Sequence, residues 1–407
     1  MDYIKRHMES VVERLADEFP AVMVTGARQT GKTTLLKKYI AGAGIPDITF
    51  DDLSEEESAH NDPRAFLHLH KAPYMFDEIQ YVPELFRFLK MTIDNDRRNG
   101  MFFFTGSQPF NLMKSASESL AGRIGILQLY SLSQREKDEI EFNRPFVPDD
   151  EYISFRNNND SKESKDVWTD IFTGGFPEVV SGRVKAGDFY ESYLKTYIER
   201  DILKLSQIEN ELQFLQFIRA TAARTGNLVN YSDLAHDVGI SEITAKKWLS
   251  LLVTSGLVYL LQPYSENVEK RIIKTPKLYF MDTGLAVHLT RWNSAETLRS
   301  GAMAGSIFET YIVSEVIKSF SNAGMEAPLY FYRDKDKKEI DLIICRDQCI
   351  FPVEIKKTST PRRDDAANFS VLNRIKGVSA APPVIICDCP SPVSVKEGVL
   401  ALPVRYI

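Results

Sequence analysis

"AVMVTGARQTGKTTLLKKYI", residues 21–40, places an apolar β-rich run before a helical one, with a loop bracketed by glycines between them. Gly26 to Thr33 is a full match to GxxxxGK[ST], in the strand–loop–helix context that this motif requires. The residue types fit a grip on phosphate. Gly26 and Gly31 let the backbone curl so that its N–H groups face phosphate oxygens, helped by the N-terminus of the following helix. Lys32 supplies charge to the β- and γ-phosphates, and Thr33 a hydroxyl for Mg²⁺. The expected nucleotide contacts are therefore Gly26, Ala27, Arg28, Gln29, Thr30, Gly31, Lys32, Thr33 and Thr34. ATP and Mg²⁺ are the cofactors this loop predicts.

Working outward, "ITFDD" (48–52), "YMFDE" (74–78), "MFFFTGS" (101–107) and "IGILQLY" (124–130) read as further buried strands. Helical patterns lie between most of them, which predicts an α/β fold with a parallel sheet covered on both faces. "YMFDEIQ" (74–80) supplies the second half of the site. Asp77 is expected to hold the Mg²⁺ shell and Glu78 to polarise the attacking water; the competing reading is a solvated acidic strand end. The strand "FFFTG" should end beside Asp77. Thr105 and Ser107 there either sense the γ-phosphate or cap a turn. Arg123, in "SLAGRIG", is either an arginine finger for the nucleotide of a neighbouring subunit, implying a homo-oligomer, or half of a structural ion pair.

Composition sets limits on the rest. A 407-residue chain has length for two or three domains. A net charge of −6 argues against a surface coated for non-specific nucleic-acid binding, though a local basic groove remains compatible. "MDYIKRHMES" lacks the apolar core of a signal peptide, and no run approaches a membrane span, so a cytoplasmic protein without membrane contact is expected. Cys345, Cys349, Cys387 and Cys389 form no CxxC pair, which favours reduced thiols over zinc.

Residues 143–166, rich in Asn, Asp and Ser, read as a loop or insertion. Helical periodicity runs from Asp188 to about Ile208. In residues 227–264, Ser232 is expected to cap a short helix that Gly239 ends, and Ser241 to cap a second that ends at Gly256. The strand "LVYLL" follows. This order predicts a winged helix. Lys246 and Lys247 lie on its second helix; Trp248 and Leu252, at i and i+4, favour packing or coupling over DNA reading.

The last segment, from about Gly301, is again α/β. "EIDLII" and "FPVEIKK" form a hairpin around "RDQ". Alternation sends Ile340, Leu342, Ile344, Val353 and Ile355 one way, and Asp341, Glu354 and Lys356 the other. An amphipathic helix upstream (305–320) carries Glu309. Helix acid, strand acid and E-x-K in this order resemble the PD-(D/E)xK nuclease core. That resemblance implies Mg²⁺ held by Asp341 and Glu354 with help from Glu309, and Lys356 orienting or deprotonating water for attack on a phosphodiester. The competing reading is the solvated face of a sheet. Arg333, Lys335, Lys337 and Lys338 precede Asp341, a cluster suited to phosphates or to a solvated turn.

"GARQTGKTT", "YMFDEIQYVPELF", "FFFTGSQ", "LAGRIGILQLYSLSQRE", "GGFPEVV", "TYIERDI" and "KLYFMDTGL", in this order, resemble a large prokaryotic family of AAA-type ATPases. The resemblance covers nearly the whole chain. It implies an ATP-binding domain followed by a C-terminal half of unassigned function, often of nuclease-like fold. The expected domains are 1–165 (ATP-binding), 166–264 (helical lid and winged helix) and 265–407 (linker and nuclease-like). The expected function is an ATPase whose nucleotide state controls the nuclease-like domain, acting on DNA. The alternatives are an ATP-dependent switch whose nuclease-fold domain is inactive and serves partner binding or oligomerisation, and a DNA-tethering factor using the winged helix.

Overall fold

Alternate residues of strand β1 (Ala21–Thr25) feed two different cores: Ala21 and Met23 one, Val22 and Val24 the other. A strand buried on both faces needs cover on both, and the computed structural model supplies it. The structure describes residues 3–107, 118–159, 166–197, 210–265, 275–375 and 377–407. These fall into two units: Met1–Asn143 with Thr254–Leu257 and Ser321–Met325, and the remainder of the chain.

In the first unit, β1 lies in a five-stranded sheet ordered β2-β3-β4-β1-β5, with β2 Asp47–Thr49, β3 Tyr74–Asp77, β4 Phe102–Gly106 and β5 Ile124–Gln128. All four pairings are parallel. Helices α1 (Glu9–Glu18) and α2 (Lys32–Ala43) place Val12, Leu15, Leu35 and Leu36 in one core. Helices α3 (Leu53–Asn61), α4 (Pro63–Leu69) and α5 (Leu85–Asp96) place Ala59, Phe66, Phe86 and Leu89 in the other. The expected strands appear, with shorter ends. β2 stops at Thr49 because Asp52 turns to cap α3, its carboxylate accepting from the Ser54 N–H at 2.9 Å. β3 stops at Asp77 because Glu78 takes a left-handed conformation (φ 55°).

The second unit holds a ten-stranded sheet ordered β14-β15-β13-β11-β10-β9-β7-β8-β6, with β12 paired to β11. These strands are β6 Asn227–Leu228, β7 Val258–Pro263, β8 Lys277–Phe280, β9 Leu329–Arg333, β10 Glu339–Arg346, β11 Cys349–Lys356, β12 Ser379–Ala380, β13 Val384–Cys387, β14 Val393–Lys396 and β15 Val399–Pro403. The helices Tyr231–Val238 and Glu242–Thr254 precede β7. β7 and β8 form an antiparallel hairpin, and β7 continues into the C-terminal strands through a parallel pair with β9.

Three expectations are corrected here. Residues 150–159, read as part of a loop, form a helix: Asp149 accepts from the Tyr152 N–H at 2.8 Å, and Tyr152 and Arg156, one turn apart, are buried. Tertiary burial of those two side chains overrides a polar composition that lacks amphipathic regularity. The first helix of the pair is capped by Asn230, not Ser232; the Asn230 side chain accepts from Ser232 and Asp233 N–H groups at 3.1 and 3.2 Å. Gly239 ends that helix with φ 72°, and the Ser241 hydroxyl accepts from the Thr244 N–H at 3.1 Å. The third concerns the C-terminal hairpin. Its turn residues Asp347 and Gln348 both have positive φ, the twist a two-residue hairpin loop needs. A register shift against β9 between Ile340 and Ile343 puts those two side chains in one cluster, so the expected strict alternation from Ile340 through Ile344 is broken. The helix expected over 188–208 is described only as far as Tyr197, and the end of "TYIERDI" lies outside the described residues.

Candidate functional site

The phosphate loop leaves β1 through Gly26, whose φ of 143° and position against Leu129 admit no side chain; a Cβ there would sit 2.2 Å from the Leu129 carbonyl oxygen. Gln29 (φ 61°) and Gly31 (φ 93°) complete the curl, and α2 begins at Lys32. Ala27 and Thr30 are buried, Thr30 donating to the Ala27 carbonyl at 3.0 Å. Arg28 reaches the Tyr81 hydroxyl at 3.3 Å. Thr34 follows Thr33 in the first turn of α2.

Lys32 is buried, with its ammonium donating to the Ala27 carbonyl at 2.9 Å, inside the loop it would charge. Burial pulls that ammonium down to about 8, against the pull of Glu78 and Asp77. The Thr33 hydroxyl donates to Asp77 Oδ1 at 2.7 Å. The Thr105 hydroxyl donates to the same oxygen and accepts from the Glu78 N–H at 3.0 Å. β4 lies between β1 and β3, so its end meets Asp77, as the strand order in the sequence predicts. Burial raises the Asp77 carboxyl above its usual range while the two hydroxyls oppose that. Glu78 accepts from Ser107 at 3.0 Å and from Gln80. Lys32, Thr33, Asp77, Glu78, Thr105 and Ser107 thus converge. Arg123 does not join them: it precedes β5, at the edge of the sheet where β1 starts rather than where the loop leaves it. Its Nε meets Asp94 at 2.6 Å.

Sequence reading missed Arg6. Its guanidinium is buried, with Nη1 donating to the Thr30 carbonyl at 2.8 Å, Nη2 to the Tyr130 carbonyl at 2.9 Å and Nε to Glu136 at 2.9 Å. Glu136 also closes a capping box with Ser133. The S-x-x-E run 133–136 was the available signal.

The second unit assembles another polar cluster. Asp341 is 9% exposed and Glu354 1%, so this face of the hairpin is not a solvated one. Asp341 Oδ2 accepts from the Ile355 N–H at 2.8 Å. Lys356 donates to Glu354 Oε1 at 2.7 Å and stands 4.0 Å from Asp341; Asn368 donates to the same Glu354 oxygen at 3.2 Å. Glu354 Oε2 is buried with no hydrogen-bond partner. Glu309, on the helix Ala304–Asn322, accepts from Lys277 at 2.9 Å and from the Tyr279 hydroxyl at 2.6 Å. Lys277 also pairs with Glu339. Burial first, and then the charge of Asp341, lift Glu309 and Glu354 to about 7; burial raises Asp341 as well. Lys356 is held above its ordinary value, because its carboxylate neighbours outweigh its burial. Lys277, Tyr279 and Glu339 were not singled out in the sequence, although the i, i+2 spacing of Lys277 and Tyr279 in "KLYF" puts both on one strand face. Among the described residues, no three His, Cys, Asp or Glu side chains already form a metal-holding group.

Donor chemistry fits a divalent ion in both places: a hydroxyl beside a carboxylate at Thr33 and Asp77, and an unpartnered buried carboxylate oxygen at Glu354 beside Asp341. No helix among the described residues is long and apolar enough to cross a membrane.

Comparison with known proteins divides the chain in three. Residues 18–137 match the family model of an AAA domain, residues 164–296 a domain of unknown function (DUF8612), and residues 304–407 a second domain of unknown function (DUF4143). An uncharacterized protein of Mycobacterium tuberculosis is 28% identical over 360 residues, covering 88% of this chain and 75% of that protein. One from Mycobacterium bovis matches to the same extent. Among solved structures, a Walker-type ATPase of Pyrococcus abyssi aligns with TM-score 0.39 and 16% identity, over 70% of this chain and 95% of that one. The Holliday junction branch migration motor RuvB of Thermotoga maritima aligns with TM-score 0.32 and 18% identity, over 66% and 93%. The phosphate loop, Gly26 to Thr33, lies inside the segment that matches the AAA domain.

Proposed function

We propose that the first unit binds and hydrolyses Mg²⁺-ATP, and that its nucleotide state controls a PD-(D/E)xK nuclease-like domain acting on DNA. The observation that supports the ATPase reading best is the convergence of Lys32, Thr33, Asp77 and Glu78 where β1 and β3 end. In this reading Lys32 leaves the Ala27 carbonyl for the β- and γ-phosphates. Thr33 and Asp77 would hold Mg²⁺, which would supply positive charge against the phosphates. Glu78 orients the attacking water, with Thr105 and Ser107 fixing the strand ends around it. The test is ATP turnover by the wild type, Lys32→Ala and Glu78→Gln. Undiminished turnover in Glu78→Gln would remove Glu78 from this role.

For the C-terminal domain, Asp341 and Glu354 would hold the metal, and Glu309 would join as a third acid only on leaving Lys277. Lys356, kept charged by Asp341 and Glu354, would orient the water rather than deprotonate it. The exposed turn with Arg333, Lys335, Lys337 and Lys338 leads straight into β10, a position suited to a phosphate backbone. Buried, unpaired Glu354 Oε2 is what favours a metal site here over a solvated sheet face. Mg²⁺- or Mn²⁺-dependent nicking of DNA should occur with wild type and vanish in Lys356→Ala. Nicking that survives this change would belong to a contaminant. A second reading, a switch whose nuclease-fold domain only binds partners, is favoured by Lys277, which already occupies Glu309.

The helix pair and hairpin of residues 231–280 we read as a winged helix used for coupling. Trp248 packs edge-on against Phe214 and Phe217, and Leu252 is buried, which leaves Lys246 and Lys247 as the exposed cations of that helix. A homo-oligomer is proposed from Arg123, which would have to leave Asp94 to serve a neighbouring subunit. Sedimentation of wild type and Arg123→Ala with and without ATP tests it, and a strict monomer rejects it.

A further inference from the structure

We propose that Lys277 is a built-in cation of the candidate metal site: it withholds Glu309, so that a divalent ion reaching Asp341 and Glu354 finds two acids and not three. The inference rests on the metal-site reading given above for the C-terminal domain.

Three observations carry it. Lys277 is only 4% exposed, and its ammonium lies 2.9 Å from Glu309 Oε1 while also pairing with Glu339. The Tyr279 hydroxyl donates to the same Glu309 oxygen at 2.6 Å, so that oxygen already holds two donors. Glu354 differs: one oxygen serves Lys356 and Asn368, and the other is buried with no hydrogen-bond partner. The cluster is therefore split. On the hairpin, Glu354 keeps one buried oxygen without a hydrogen-bond partner. On the helix, Glu309 Oε1 is held by an ammonium and a hydroxyl. This division accounts for the lack of a ready three-acid group among the described residues.

The chain position of Lys277 gives the arrangement its consequence. Glu309, Glu339, Asp341, Glu354 and Lys356 all lie in the segment matched over 304–407, whereas Lys277 lies in the segment matched over 164–296. It arrives on β8, the second strand of the hairpin behind the helix pair. An ammonium and a divalent ion next to one carboxylate repel each other strongly in a poorly solvated place. Whatever shifts β8 therefore alters the availability of Glu309, and the middle segment sets the metal affinity of the C-terminal one.

The test is Mn²⁺ binding to the full-length protein without nucleotide, counted by the electron paramagnetic resonance of free Mn²⁺. Binding that Asp341→Asn removes defines this site. Lys277→Met should tighten Mn²⁺ there by about tenfold, the effect of removing one nearby positive charge. Glu309→Gln in the wild-type background should change affinity by less than about twofold, because Glu309 is already occupied; in the Lys277→Met background it should cancel the gain. Unchanged or weaker binding in Lys277→Met, or a tenfold loss in Glu309→Gln alone, overturns the proposal and leaves the metal site standing. Should Lys277→Met not fold, Glu309→Gln alone decides. Absence of any Mn²⁺ binding sensitive to Asp341→Asn overturns the metal-site reading itself, and the proposal with it.

Discussion

Arg6 holds the phosphate loop through the carbonyl oxygen of Thr30, at 2.8 Å, from a buried ion pair with Glu136. The Thr30 carbonyl belongs to the same peptide group as the Gly31 N–H. A trans peptide points these two groups in opposite directions, so anchoring the oxygen aims the N–H the other way. Arg6 is a positioning residue for the loop. Arg6→Ala strands the Glu136 carboxylate in the interior and should lower stability by about 3–5 kcal/mol, measured by urea unfolding. Replacing both partners by Met should cost much less stability yet still weaken ATP binding, because the Thr30 carbonyl has lost its anchor. Tight ATP binding by the double variant would deny Arg6 the positioning role.

Glu78 sits at φ 55°, a conformation unusual for a residue other than glycine, with its N–H tied to Thr105. Glu78→Gln should keep the fold and bind ATP within a few-fold of wild type, while turnover falls by roughly a hundredfold to ten-thousandfold. Single-turnover hydrolysis alongside equilibrium binding separates the two effects. Weakened binding with unchanged single-turnover rate would be the contrary result.

The buried ammonium of Lys32 gives nucleotide binding a pH dependence. Without nucleotide its folded-state pKa is drawn down to about 8 by burial. Phosphate beside it favours the charged form, so the pKa rises on binding and a proton is taken up above that value. ATP affinity should be flat below pH 8 and then fall, by about tenfold at pH 9. Calorimetry at pH 7, 8 and 9 measures this, and the slope should disappear in Lys32→Ala along with most of the affinity.

Gly174 and Gly284 approach each other beside the Tyr190 hydroxyl, whose single proton is shared between Asp282 at 2.8 Å and the Thr173 carbonyl at 3.0 Å. A Cβ on Gly284 would lie 2.2 Å from that hydroxyl and 2.7 Å from the Thr173 carbonyl oxygen. Gly284→Ala should therefore destabilise the protein by about 1–3 kcal/mol through overpacking. Gly187→Ala has open space around its added methyl and should be near neutral in the same thermal melts.

The parts of this protein legible in the sequence are those where a short motif and the local structure agree. Gly26, Lys32, Thr33, Asp77 and Glu78 lie in short motifs at strand ends, and the motifs themselves single them out. Asp341 and Glu354 were found through their spacing on a hairpin. What stayed hidden depends on distant partners. Arg6 and Glu136 are separated by 130 positions and meet only because α1 packs beside the strands. Lys277 looks like an ordinary strand lysine until the helix acid Glu309 is brought to it. The helix at Asp150–Asn159 is invisible to periodicity because just two of its side chains, Tyr152 and Arg156, are buried.

The parallel pairing of β7 with β9, Gln262 opposite Tyr330 and Pro263 opposite Phe331, makes the C-terminal strands the continuation of a sheet that begins two hundred residues into the chain. A fragment trimmed to start near Gly301 would bare the flank of β9, a row of amides and carbonyls free to recruit another chain. Such a fragment would also lack Lys277 altogether. Excised this way, the C-terminal piece should tend to self-associate, so any test of metal binding there calls for the intact polypeptide.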